Sequence, residues 1–400
     1  MSAHAPTCVL VTGAAGFIGS NFVRRLAGRH QGKIILLDAL TYAGNMENLA
    51  GIVDDARVVF VRGDVCDEAL LAELFGEERI DTVVHFAAES HVDRSIRSPD
   101  EFVRTNVVGT HALLKAARAA WAGAPGARRF HHVSTDEVYG SLDRDARAAT
   151  ETTAYAPSSP YAASKAAADH LVQAYHRTFD LPVVTTNCSN NFGPYQFPEK
   201  LIALATVRAL LGEPIPVYGD GAQIRDWLFV EDHCAALEAV MRDGRNGETY
   251  NVSGTGGLTN REVLTRLCGA VDRLIANDRA LAERFPGSPA AGGARSVELL
   301  TEVPDRAGHD RRYALDDAKL RRTLGVEPKM GLDQGLDATA RWYAENEPWW
   351  RRVMDGSYRE WVSTQYRHLV ADGSEISAKG GTPLRHDVNT DPAKGGIIKH

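Results

Sequence analysis

Cysteine is scarce and scattered in this chain. The five in 400 residues (Cys8, Cys66, Cys188, Cys234 and Cys268) form no Cys-x-x-Cys pair. That spacing excludes a disulfide framework and a thiolate metal site, and reads as free buried thiols in a reducing compartment. Long hydrophobic runs are also lacking. Leu201 to Leu211, the nearest approach to one, is interrupted by Arg208, so the sequence predicts no membrane span. An excess of positive charge is missing too: 45 Lys and Arg stand against 52 Asp and Glu, a formal net charge of -7. A general nucleic-acid binder is thereby excluded, and any phosphate-bearing ligand must be met by local features. The first strand begins within a few residues of the N-terminus, which leaves no room for a signal peptide and points to the cytoplasm. What remains is ordinary globular composition, 44% hydrophobic and 24% charged, enough for one large domain or two lobes.

Apolar, β-rich runs alternate with helical patterns through the first half. Strands are predicted at Cys8 to Thr12, Lys33 to Asp38, Arg57 to Val61, Asp81 to Phe86, Phe130 to Ser134 and Pro182 to Thr186. Helices are predicted from about Gly16, over Phe102 to Trp121 and over Tyr161 to Phe179. Near-continuous apolar strands separated by helices imply an α/β fold, a Rossmann-type doubly wound parallel sheet covered on both faces. This lobe spans residues 1–190, with short segments returning from about 225–255. After about 190 turn signals multiply (Gly193-Pro194, Tyr218-Gly219-Asp220-Gly221), and 191–370 reads as a smaller α+β substrate-binding lobe. It contains a loop at Phe285 to Ala294 and a C-terminal helix over Gly331 to Glu347, ending near Pro348. Residues 371–400 are polar, rich in Gly and Lys, and read as a flexible tail.

Thr12-Gly13-Ala14-Ala15-Gly16-Phe17-Ile18-Gly19 follows the first strand and opens a helix. The spacing is G-x-x-G-x-x-G. Gly13 permits the tight turn, Gly16 lets a pyrophosphate approach the backbone, and Gly19 lets the helix pack on the sheet. The helix N-terminus offers N–H donors and a partial positive charge to the phosphates. Asp38 ends the second strand about 20 residues on, where a carboxylate binds a ribose 2′-OH and repels a 2′-phosphate, so NAD is favoured over NADP. Asp64 and Val65 after the third strand would meet the adenine. Phe86, Ala87 and Ala88 after the fourth would line the far half of the cofactor.

Tyr161 and Lys165 are four apart and share a helix face. A neighbouring ammonium and the positive nicotinamide ring favour the tyrosinate, which predicts a lowered tyrosine pKa and a base for a sugar hydroxyl. Ser134, Thr135, Asp136 and Glu137 stand at a strand end that faces the cofactor. An arbitrary Asp-Glu pair is usually a solvated turn. Beside a nicotinamide site, two adjacent carboxylates repel, so one stays protonated while the other ionises. An acid and a base thus share one pocket, and the sequence leaves open which is which.

With these residues the chain resembles the extended short-chain dehydrogenase/reductases and, within them, the dTDP-glucose 4,6-dehydratase family. The resemblance runs from about Val9 to Tyr366. Beyond the glycine loop and Ser134 to Gly140 it rests on Leu40-Thr-Tyr-Ala-Gly-Asn45, Ala87-Ala-Glu-Ser-His-Val-Asp-Arg-Ser95, Tyr155-Ala-Pro-Ser-Ser-Pro-Tyr161, Asn187-Cys-Ser-Asn-Asn-Phe-Gly-Pro-Tyr195, Phe197-Pro-Glu-Lys-Leu-Ile202, Arg225-Asp-Trp-Leu and Asp305-Arg-Ala-Gly-His-Asp-Arg-Arg-Tyr313.

The family implies the roles. Tyr161 takes the C4 hydroxyl proton as the C4 hydride passes to NAD⁺. Glu137 removes the C5 proton, Asp136 protonates the departing C6 hydroxyl, and the hydride returns to C6. Thr135 orients the sugar and Lys165 supports Tyr161. Thr41, Thr105 and Asn191 join the cofactor contacts. Ser90 and Asn190 would touch the sugar or the diphosphate linkage. Lys200, Leu201, Ile202, Pro216 and Tyr218 would frame the nucleoside. Arg225 and Asn260 would bind the diphosphate, and Asp305, Arg306 and His309 would close the far end. The substrate implied is dTDP-glucose, with a product for deoxysugar biosynthesis, rhamnose or a secondary metabolite. The assembly implied is a homodimer with a four-helix interface from Phe102–Trp121 and Tyr161–Phe179. Nucleotide-sugar 4-epimerases share the glycine loop and Tyr-x-x-x-Lys but generally lack the Asp of Thr135-Asp136-Glu137, so Asp136 separates the two readings.

Overall fold

The computed structural model describes residues 4–124, 126–254, 256–305 and 308–354. Arg306, the tail expected at 371–400 and the last stretch of the resemblance, up to Tyr366, lie outside the described residues.

Seven strands form one parallel sheet. β1 (Cys8–Thr12), β2 (Lys33–Asp38), β3 (Val58–Arg62), β4 (Thr82–His85), β5 (Arg129–Thr135) and β6 (Val183–Cys188) arise from the first half of the chain. β7 (Asn190–Phe192), β8 (Ile215–Tyr218) and β9 (Ile224–Phe229) lie elsewhere, and β10 (Thr249–Val252) completes the sheet beside β6. The order is β10-β6-β5-β4-β1-β2-β3. The two directions of winding part between β1 and β4, and a crevice opens beyond the carboxyl ends of these two strands. Their apolar side chains are buried on both faces, which is why they read as unbroken hydrophobic runs. Val230, Cys234, Leu237 and Met241 of the helix Val230–Asp243 share one buried cluster with Val9 and Val11 of β1 and with Phe22 and Val23 of the helix Phe17–Ala27. The helix Ala318–Leu324 also returns to this lobe, with Leu320 against Tyr250 and Val252.

The second lobe holds β11 (Gly257–Thr259) and β12 (Leu300–Val303) in two small sheets, β11-β9-β7 and β12-β8. Its core joins the helices Leu201–Leu211, Asn260–Asn277, Leu332–Glu345 and Glu347–Val353 through side chains such as Ile202, Leu267, Val271, Tyr343 and Trp350. No described helix is long and apolar enough to cross a membrane.

Two elements differ from the sequence reading. The helix expected over Phe102 to Trp121 opens with a π-helical stretch, Val103–Gly109, before α-helical Thr110–Trp121. Inside the widened stretch, buried Asn106 serves the backbone of Glu89, accepting from its N–H at 2.8 Å and donating to its carbonyl at 3.0 Å. Such a bulge commonly marks a functional site. Pro348 does not end the C-terminal helix. That helix stops at Glu345, and Pro348 sits in the first turn of the next one, where its missing N–H costs nothing.

Candidate active site

The carboxyl ends of the parallel strands open into a cleft of about 680 Å³. Its floor is the glycine loop. Gly13 has φ +67°, and a Cβ there would stand 2.7 Å from the backbone N of Ala87, so the turn admits only glycine between β1 and the loop after β4. A Cβ on Gly19 would lie 2.1 Å from the Gly13 carbonyl. The helix that follows has no side-chain cap at Gly16 and no acidic residue in its first turn, which leaves its N-terminal N–H groups and partial positive charge for an anion.

Every residue expected on the cofactor lines this cleft: Gly13, Gly16, Phe17, Ile18, Gly19, Asp38, Thr41, Asp64, Val65, Phe86, Ala87, Ala88, Thr105, Tyr161, Lys165 and Asn191. Asp38 is already engaged. Its two oxygens accept the N–H groups of Ala15 and Leu40, each at 2.8 Å, tying the glycine loop to the end of β2. Each oxygen keeps a second lone pair for a ribose hydroxyl.

Thr135, Asp136 and Glu137 stand where β5 ends. The Thr135 hydroxyl accepts the Glu137 N–H and donates to Asp136 Oδ1, both at 3.3 Å, and so caps the short 3₁₀ turn Asp136–Tyr139. This cap sets the two carboxyls in different surroundings. Asp136 is buried, with Oδ2 lacking a hydrogen-bond partner, whereas Glu137 is half-buried at the cleft. Burial, then the neighbouring Glu137 carboxylate, pushes the Asp136 carboxyl well above the usual carboxylate range, against the pull of Arg225.

Tyr161 departs from the expectation of a lowered pKa. In the protein alone, burial and then the Glu137 carboxylate raise it well above the ordinary tyrosine value, while a hydrogen bond with Thr135 pulls the other way. The ammonium expected beside it gives its hydrogen bond elsewhere: Lys165 Nζ donates to the Val133 carbonyl at 2.8 Å.

The residues expected on the substrate divide. Ser90, Thr135, Asn190 and Lys200 line the cleft, and Asn190 Oδ1 is a buried acceptor with no hydrogen bond. Leu201, Ile202, Pro216, Tyr218, Arg225, Asn260, Asp305 and His309 do not border it. Ile202 is a core residue, because it falls on the apolar face of its helix, and Pro216 is buried within β8. Arg225 is buried against the Tyr313 ring at 4.3 Å and donates to the Asp310 carbonyl at 2.8 Å. Tyr218, Asp305 and His309 form a cluster beyond the cleft: His309 meets Asp305 at 2.5 Å, and the Tyr218 hydroxyl reaches Asp93 at 3.3 Å, one residue from cleft-lining Arg94. Asn260 begins the helix Asn260–Asn277 with a buried Oδ1 lacking a partner.

The cleft also holds residues to which the sequence assigned no role. Glu199 is buried there, accepts from the Tyr42 hydroxyl at 3.2 Å and lies 3.5 Å from Arg94; burial pushes its carboxyl up to about 7, against the pull of Lys200 and Arg94. It sat inside the Phe197 to Ile202 motif, but its burial was not legible there. A second depression of about 690 Å³, bordered by Asp226, Gly254 and Asp317, contains none of the expected residues. Among the described residues no cluster of His, Cys, Asp and Glu could hold a metal ion.

Comparison with known proteins fits this geometry. Residues 10–339 match the family model described as GDP-mannose 4,6 dehydratase. The chain belongs to that family. The dTDP-glucose 4,6-dehydratase of Neisseria meningitidis is 52% identical over 355 residues, 88% of this chain and 97% of that one. One from Escherichia coli K12 is 46% identical over 370 residues, 90% of this chain and 98% of its own. The crystal structure of DesIV, a dTDP-glucose 4,6-dehydratase from Streptomyces venezuelae with NAD bound, superposes with a TM-score of 0.75 at 46% identity, covering 86% of this chain and 99% of that one. A UDP-glucose 4-epimerase of Thermotoga maritima shares the dehydratase-family fold at 28% identity, with a TM-score of 0.72 over 85% of this chain and 99% of its own.

Proposed function

We propose that this chain is a dTDP-glucose 4,6-dehydratase, converting dTDP-glucose to dTDP-4-keto-6-deoxyglucose and water. One observation carries the reading: a buried Asp136 carboxyl favouring its protonated form stands beside a half-buried Glu137, in one cleft with Tyr161, Lys165 and an uncapped glycine-loop helix. The glycine loop fits a dinucleotide, because bare backbone and free N–H groups face the cleft there, and Asp38 suits an unphosphorylated ribose. When bound, NAD would supply the acceptor for the hydride leaving C4 and then the donor of the hydride restored at C6, within one turnover.

Tyr161 takes the C4 hydroxyl proton, with Thr135 orienting that hydroxyl. The C4 ketone acidifies the C5 proton, and Glu137 removes it. Asp136 gives its proton to the C6 hydroxyl, which leaves as water, and Glu137 returns its proton to C5. Ser90, Asn190 and Lys200 hold the sugar and its diphosphate. The Asn260 amide, Arg225, and the Tyr218, Asp305 and His309 cluster serve the nucleotide end as the lobes meet around it. The epimerase reading has the fold in its favour, but it leaves the buried acid Asp136 without a task.

The exposed apolar residues Val103, Val108 and Phe179 lie on the two helices that suit a homodimer interface. The enzyme is read as a cytoplasmic homodimer whose product enters deoxysugar synthesis, rhamnose included. Incubated with dTDP-glucose and NAD, it is expected to release a product lighter by one water with no net reduced cofactor. A product of unchanged mass in the mass spectrum would replace this reading with epimerisation.

A further inference from the structure

The helix Pro160–Phe179 carries a third buried ionisable residue on the face of Tyr161 and Lys165. Asp169 lies one turn beyond Lys165, at the same four-residue spacing. It is 2% exposed and does not border the cleft, and the chemistry proposed above does not use it. A buried carboxylate is expensive unless something holds it. Here Oδ2 accepts the Ser134 hydroxyl at 2.9 Å and the Tyr155 hydroxyl at 3.0 Å. Oδ1 lies 3.0 Å from His132 Nε2, off the line of a hydrogen bond.

The surroundings of Lys165 show what this anion faces. Lys165 is buried, and burial works against its charge. His85 on β4 and His132 on β5 are themselves driven neutral by burial, with the Lys165 charge adding to that effect. Cys188 at the end of β6 is held as a thiol, its pKa pushed up to about 12 by burial. Asp136 and Glu137 act on Tyr161, and Glu137 acts on it the more strongly. With Cys188 held as a neutral thiol, Asp169 is the anion that supports the Lys165 charge. The carboxyl of Asp169 is pushed up to about 6 by burial, against Lys165, Ser134 and Tyr155, so it is an anion through neutral and alkaline pH.

We infer that Asp169 is a positioning residue for C4 oxidation: a buried counter-ion that keeps Lys165 charged and thereby lets Tyr161 ionise. This rests on the proposed role of Tyr161. It places the source of the tyrosine's activation two helical turns from Tyr161 and one turn beyond cleft-lining Lys165, at a residue that does not itself border the cleft.

The test is the pH–rate profile of Asp169→Asn. Without the anion, Lys165 becomes neutral at a lower pH. The alkaline limb is therefore expected to move down by roughly one to three units, while activity near pH 6 is retained. A merely structural role would lower the whole profile evenly. Asp169→Glu keeps the charge and is expected to restore the limb. Should Asp169→Asn not fold, NMR of carbon-labelled lysines in the wild-type enzyme, with Lys165 assigned by its loss in Lys165→Arg, is expected to show a charged amine at about pH 7. A neutral amine there, or an Asp169→Asn limb that coincides with wild type, overturns the inference. Failure of the wild-type enzyme to release dehydrated product would instead overturn the reading of function.

Discussion

Two buried regions of the molecule differ sharply: the ground beneath the cleft and the core around the helix Asn260–Asn277. Beneath the cleft, β5, β6 and the helix Pro160–Phe179 bury His131, His132, Ser134, Asp136, Lys165, Asp169 and Asn187. Around the helix Asn260–Asn277 the second lobe buries Val263, Leu264, Leu267, Val271 and Ile275. Burying polar groups costs free energy unless each finds a partner, and Asp136 Oδ2 has none. Burying aliphatic side chains contributes about 1.5–3 kcal/mol apiece. The polar groups that carry the chemistry are thus set among apolar clusters on both faces of the sheet and in the second lobe, whose burial offsets their cost.

Asp136→Asn should break this contrast most sharply. Loss of the acid is expected to slow dehydration by roughly a hundred- to ten-thousand-fold, more than it slows C4 oxidation, so reduced cofactor should build up in a stopped-flow trace. Equal slowing of both steps would count against the assigned role. Stability should change in the other direction. The folded pKa of Asp136 lies above its unfolded value, so the stability this carboxyl contributes is present at low pH and is lost as pH climbs through the folded value. Asp136→Asn should therefore melt higher than wild type at neutral pH, and the gap should shrink on acidification.

In the apolar core of the second lobe, Leu267→Ala should do the reverse. Leu267 is fully buried, and its truncation is expected to cost about 2–5 kcal/mol in urea unfolding while leaving the pH–rate profile where it was. Thr259→Ala probes the same lobe more gently. Thr259 and Glu262 form a reciprocal capping box on the helix Asn260–Asn277, Thr259 donating its N–H and hydroxyl to the Glu262 carboxylate at 2.8 and 2.7 Å and accepting the Glu262 N–H at 3.2 Å. Its removal should cost about 1 kcal/mol with kcat unchanged.

Much of this was legible before the structure. Strands β1 and β2 matched their predicted limits, and four others lay within two residues of theirs, because parallel strands buried on both faces leave unbroken apolar runs. The π-helical stretch was not legible. It depends on Asn106 finding the Glu89 backbone across 17 residues, and periodicity carries no trace of that. The burial of Ile202 and Pro216 was not legible for a related reason: a motif gives a residue's position along the chain but not the face on which it is buried.

The sequence by itself determined the parallel α/β lobe, the glycine loop and the acid pair beside Tyr-x-x-x-Lys, because these follow from local spacing and from hydrophobic period. Only the tertiary structure decided that Asp136 rather than Glu137 is the buried carboxyl, that Lys165 turns to the Val133 carbonyl, and that Asp169 stands behind it. Proton affinity depends on burial and on charges brought close by folding, and neither is a property of neighbours in the chain.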